Sequence, residues 1–123
     1  MSCFHARTDD DGRVRIRSDL TDEEIHFHFT GDCDDDAARG ARARLVSQSA
    51  AAFAQPPRTV SWRTVPSTFV LCTQDRATPP AVQATWSGRA RRIIEIPTGH
   101  HPFLSRPDLL ADILADSVIG QAD

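Results

Sequence analysis

Two short apolar runs constrain the fold of this chain more than anything else in it. Thr68-Phe69-Val70-Leu71-Cys72 is unbroken and rich in strand formers, and Arg92-Ile93-Ile94-Glu95-Ile96 is a second short strand. An unbroken run of this kind suits a strand covered on both faces, as in a parallel sheet. Between the two, Pro79-Pro80 opens a helix expected over about residues 80–90, because proline lacks the N–H that a first helical turn leaves unpaired anyway. After the second run, the rigid loop Pro97-Thr98-Gly99-His100-His101-Pro102 leads to a terminal helix. Ser105 is its expected cap, and Leu110, Ile113, Leu114, Ser117 and Val118 form its apolar face. Strand, helix, strand, helix implies a right-handed parallel βαβ unit closed by a helix.

Residues 1–61 are polar, acidic in patches and weakly patterned. Asp9-Asp10-Asp11-Gly12 is a turn signal. Arg13 to Arg17 alternates as a half-exposed strand would. Ile25-His26-Phe27-His28-Phe29 alternates as well, but it follows Thr21-Asp22-Glu23-Glu24, which has the form of a capping box. Helix and strand both remain open there. Asp32 to Asp36 reads as a solvated loop able to cap the next helix, expected over 35–54 from its Ala, Arg and Leu content and stopped by Pro56-Pro57.

With 123 residues the chain is one domain's worth, and its net charge of −3 argues against a nucleic-acid or anionic-membrane partner. Its 14 basic residues are all arginine and are scattered rather than clustered. Cys3, Cys33 and Cys72 form no C-x-x-C pair and read as reduced thiols. The N-terminal segment has no apolar stretch of signal-peptide length, and no run of about 18 apolar residues occurs. A cytoplasmic protein without membrane span is the expectation, and no cofactor is expected.

In parallel α/β sheets, reactive groups gather at the carboxyl ends of strands. Asp75 follows the first strand by three residues and His100 follows the second by four. Neighbouring strands lie about 4.8 Å apart, so these exit loops bring a carboxylate and an imidazole within reach of each other. Such a pair orients the ring and stabilises its protonated form; capping or plain solvent exposure would also account for an Asp and a His in these loops. His26 and His28, near Asp32 to Asp36, suggest a metal site only superficially, since nothing completes a tetrahedral set and the acidic run lacks an EF-hand's spacing. Trp62, Trp86 and Phe103 are expected in the core or a pocket wall. Cys72, in a buried strand, is expected to be inert.

The segment from Trp62 to Ala77, with Pro66-Ser67-Thr68 entering the strand and Thr73-Gln74-Asp75-Arg76-Ala77 leaving it, resembles the approach to the triad acid in α/β-hydrolases. Pro79-Pro80-Ala81-Val82-Gln83 and Thr98-Gly99-His100-His101-Pro102-Phe103-Leu104-Ser105-Arg106-Pro107 narrow the resemblance to bacterial esterases related to plant methylesterases and hydroxynitrile lyases. Phe29-Thr30-Gly31-Asp32-Cys33 is similar to the cap region of that group. The resemblance implies an incomplete α/β-hydrolase: a partial, mostly helical cap over 1–61 and the last strand-helix-strand-helix of the core over 62–123. It implies Asp75 as triad acid, His100 as general base, a small ester as substrate, and His101 as a variable neighbour. The small Gly99 would let the loop turn.

The family's nucleophile sits in G-x-S-x-G on a tight strand-to-helix turn. No two glycines here are four apart, so that motif is absent, and no upstream serine has its context. Weak or absent activity of the chain alone is therefore expected. The alternatives are a non-catalytic remnant or interaction module, and one half of a split hydrolase. A sheet lacking neighbours would have a bare edge, and bare edges favour homo-oligomers.

Overall fold

In the computed structural model, which describes residues 6–119, the two apolar runs are strands paired as the crossover requires. β1 (Ala6–Thr8) and β2 (Arg13–Ile16) are joined by the Asp9–Gly12 turn. Gly12 adopts φ +74°, a conformation that a Cβ disfavours, so glycine is needed at that corner. Cys3 and the rest of the first five residues lie outside the described residues.

Between Thr21 and Thr30 the capping box prevails over the alternation. Thr21 Oγ1 accepts the Glu24 N–H at 3.1 Å while the Glu24 carboxylate accepts the Thr21 N–H at 2.7 Å. Helix α1 (Asp22–Ile25) starts there and widens into a π turn over His26–Thr30. Asp34 caps α2 (Asp35–Ala43), its Oδ1 accepting the Ala37 N–H at 2.8 Å.

The helix expected over 35–54 is interrupted. After Ala43 the chain leaves the helix and adds a two-residue strand, β3 (Gln48–Ser49), to the antiparallel sheet β1-β2-β3, before the short α3 (Ala51–Ala54). The reason is tertiary. Arg13 donates to the Ser47 carbonyl at 3.0 Å, and the Ala50 N–H reaches the Gly12 carbonyl at 2.9 Å, so the β2 hairpin captures this segment against its local preference.

The second half follows the reading closely. β4 (Thr68–Cys72) and β5 (Arg92–Ile96) pair in parallel, with Thr68 opposite Arg92 and Cys72 opposite Ile96. The crossover helix α4 (Pro80–Ser87) has Pro80 at its first turn and ends earlier than expected. The terminal helix is divided into α5 (Pro102–Ser105) and α6 (Pro107–Ile119). Ser105 is thus the last residue of α5 and not the cap of α6.

Burial departs from expectation in one consistent way. Only the carboxyl end of β4, Leu71 and Cys72, and Ile96 of β5 are buried in this sheet. The amino-terminal part of this sheet is therefore not covered on both faces. Trp62, Trp86 and Phe103 are exposed rather than core, as are Leu114 and Val118 on the α6 face. Trp62 is flanked instead by the guanidinium groups of Arg63 and Arg89, 5.3 and 5.5 Å from its ring centre. What is best packed is the end of the sheet where the two exit loops meet.

Candidate active site

The pairing of β4 with β5 continues past both strands. The Thr73 N–H donates to the Ile96 carbonyl at 2.9 Å, and the Gln74 N–H to the Thr98 carbonyl at 3.0 Å. These bonds deliver Asp75, one residue past Gln74, and His100, two past Thr98, side by side. His100 Nδ1 lies 2.9 Å from Asp75 Oδ2 and 3.1 Å from Oδ1. A carboxylate only accepts, so Nδ1 carries the proton and Nε2 of the neutral ring has a free lone pair.

Asp75 is buried and thoroughly held. Its Oδ1 also accepts the N–H groups of Ala77 and Thr78 at 2.9 and 2.8 Å, an Asx-type turn closed by the loop itself. Its Oδ2 faces Gln83 Nε2 at 3.5 Å. The His100 side chain is 29% exposed, against 6% for Asp75. A sheltered acid behind a partly open base leaves the ring able to meet a reactant.

Gln83 fixes this corner from the helix. Its amide matches the outer edge of β4 as a neighbouring strand would: Oε1 accepts the Cys72 N–H at 3.0 Å and Nε2 donates to the Cys72 carbonyl at 3.0 Å. Nε2 also donates to the Thr78 carbonyl at 2.8 Å. This is why α4 turns a polar residue inward while Trp86 faces out.

The upstream segment reaches both loops. The Phe29 ring meets His100 edge-on, with centres 5.5 Å apart, and the Phe29 carbonyl accepts from His101 Nδ1 at 2.8 Å. Arg76 lies over the Phe27 ring at 4.2 Å. A cavity of about 60 Å³ touches His28, Asp32, Gln74, Arg76 and His100. A larger, mainly apolar one of about 200 Å³ lies between α1 and α2, bounded by Ile25, Phe29, Ala38, Leu45 and His101.

His101, the variable neighbour by resemblance, has a structural task. Burial and then the nearby His100 hold its imidazole below the ordinary value of 6.5, against the bond to Phe29, which raises it. A lowered pKa means that the unfolded chain binds the proton more readily than the folded one. The stabilising contribution is complete above about pH 6.5 and is lost as pH falls through that value toward the lower folded one. Urea unfolding from pH 7.5 to pH 5 is expected to show wild type losing more stability than His101→Gln. Parallel curves would refute this assignment.

The remaining candidates separate. His26 Nδ1 is bonded to Thr30 Oγ1 at 3.0 Å, while His28 Nδ1 faces the Arg76 carbonyl at 3.4 Å. Among the described residues no group of three His, Cys, Asp or Glu is arranged to hold a metal ion. Cys72 is buried at the end of β4, and burial pushes its thiol pKa up, which disfavours the reactive thiolate. No described helix is long and apolar enough to cross a membrane.

Sequence reasoning missed Asp32. The acidic run reads as a solvated loop, yet Asp32 Oδ2 accepts the Gly99 N–H at 2.6 Å. Gly99 is accordingly small for a different reason than expected: a Cβ there would lie 2.9 Å from Asp32 Cγ and closer still to Oδ1. The only available signal was that Gly31-Asp32-Cys33 belongs to the cap resemblance, which assigns Asp32 no contact. Gln83 was part of a matched motif but had no role.

Comparison with known proteins agrees with this architecture. A profile described as the alpha/beta hydrolase family matches residues 2–113. Alpha/beta hydrolase nvfD of Aspergillus novofumigatus is 31% identical over 88 residues, which cover 69% of this chain and 35% of that protein. The crystal structure of polyneuridine aldehyde esterase superposes with a TM-score of 0.72 at 16% identity, over 92% of this chain and 47% of the esterase. A pyrethroid hydrolase from Sphingobium faniae JZ-2 superposes with a TM-score of 0.74 at 22% identity, over 91% of this chain and 46% of the hydrolase. The two structures speak to the fold. The chain spans less than half the length of each of these relatives.

Proposed function

Because this chain belongs to the alpha/beta hydrolase family, we propose that Asp75 and His100 are the acid and general base of Ser-His-Asp acyl transfer on small carboxylic esters. The observation that carries this reading is the contact of His100 Nδ1 with both Asp75 oxygens at 2.9 and 3.1 Å. His100 Nε2 takes the proton of a serine hydroxyl as its oxygen attacks the ester carbonyl. Asp75 stabilises the imidazolium, which then protonates the departing alkoxide. Water repeats the sequence on the acyl-enzyme and releases the acid. An ester substrate fits the name of one structural relative, an esterase.

The serine and the oxyanion hole come, in this reading, from residues outside these 123, since no G-x-S-x-G occurs here. Alone, the chain is then weakly active or inactive. Residues 1–61 act as part of a cap and 62–123 as the end of the core, a division supported by the separate sheets β1-β2-β3 and β4-β5, with residues 27–32 reaching the loops after β4 and β5. The test is a hybrid in which the chain follows the N-terminal half of the Sphingobium pyrethroid hydrolase, assayed on p-nitrophenyl acetate beside the chain alone. The hybrid is expected to hydrolyse the ester and to fail with His100→Ala. Hydrolysis indifferent to that substitution sinks the assignment, and a His100-dependent rate from the chain alone sinks the claim that it lacks a nucleophile.

Assembly follows from the same reading. β4 and β5 form a two-stranded sheet, and Gln83 closes the outer edge of β4 only at Cys72. Two strands alone are marginal in water, and an open edge pairs readily. Light scattering over rising concentration is expected to report self-association; a monomer throughout would contradict it.

A further inference from the structure

The residue before His100 is gripped from 67 positions away. Asp32 sits in the turn between the π segment and α2, where Asp34 rather than Asp32 caps the helix. Its Oδ2 accepts the Gly99 N–H at 2.6 Å, and the three atoms nearest to a Cβ at Gly99 would all belong to Asp32. Gly99 and Thr98 are buried while Asp32 itself is exposed, so the bond is sheltered from water on its donor side. The His100 loop is therefore held on two sides: by β4 through the Gln74–Thr98 bond of 3.0 Å, and by the cap segment through Asp32.

We propose that Asp32 is a positioning residue for His100, holding the Gly99 amide so that the imidazole presents Nδ1 to Asp75. This rests on the acid–base reading of Asp75 and His100. It adds that part of the cap segment keeps the base in register. Without the clamp, Gly99 would lose its amide partner, and the loop, still tied at Thr98 and His101 on either side, would be free to turn at the peptide between them. The ring would then leave the carboxylate, although the sheet and helices remain.

The tautomer of His100 reads this directly, because free neutral imidazole of histidine favours the proton on Nε2 while Asp75 requires it on Nδ1. Long-range proton–nitrogen NMR of the whole chain at pH 8.5 is the measurement, with circular dichroism as the check on folding. Wild type and Asp32→Asn are expected to show Nδ1–H, since the asparagine carbonyl still accepts the Gly99 N–H. Asp32→Ala and Gly99→Ala are expected to lose it for the Nε2–H form, and the double substitution should do no more than either alone. Asp75→Asn should also give Nε2–H. Wild type already in the Nε2–H form would bring down the acid–base reading itself, and the clamp with it. Wild type in the Nδ1–H form, retained by folded Asp32→Ala or Gly99→Ala, would overturn the positioning role alone. Should Asp32→Ala fail to fold, Gly99→Ala decides the same question.

Discussion

Asp75→Asn in the hybrid hydrolase is expected to slow ester turnover by about 10⁴-fold, with little change in KM. The substitution changes almost no volume, so the loop should survive. It replaces one acceptor oxygen by an NH₂ donor. Asp75 Oδ1 accepts from Ala77 and Thr78, so the loop will keep a carbonyl oxygen at that position. The amide NH₂ then occupies the Oδ2 position and faces His100 Nδ1, which must accept rather than donate. The proton moves to Nε2, the nitrogen required to receive the serine proton. The ring is present but in the wrong tautomer. Steady-state kinetics on p-nitrophenyl acetate supply the check: a loss below about tenfold would mean that the Asp75 contact is structural.

The second large effect concerns stability. Gln83→Ala is expected to lower the unfolding free energy by about 3 kcal/mol, because it leaves the buried Cys72 N–H and carbonyl and the Thr78 carbonyl without partners, at roughly 1–3 kcal/mol for each buried group left unpaired. Water entering the vacated space offsets part of the sum. Gln83→Glu should be worse at neutral pH. A carboxylate keeps the acceptor for the Cys72 N–H but turns its second oxygen toward the Cys72 and Thr78 carbonyls and Asp75, where Gln83 now donates. Urea titration gives the measurement, with an unchanged m-value as the sign that both states are comparable. Loss of under about 1 kcal/mol for Gln83→Ala would show that the amide's match to the strand edge contributes little.

Local chemistry was legible along the chain. The bounds of β4 and β5 follow from two apolar runs, the start of α4 from Pro79-Pro80, and the start of α1 from the Thr21/Glu24 box. Each signal involves residues within a few positions of one another. Parallel pairing followed from the order of elements, and the family from motifs around Asp75 and His100.

What only the tertiary structure decided is every pairing between distant segments. Residues 47–50 left a helix-forming stretch because the β2 hairpin offered them backbone partners. Gln83 points in and Trp86 out because an unpaired strand edge needs an amide more than this small sheet can cover an indole. Asp32 belongs to the His100 loop although nothing near it in the chain says so. Composition and periodicity record which face of an element is apolar. A hydrogen bond between one carboxylate and one amide 67 residues later leaves no periodic trace, so it exists only once the chain has folded.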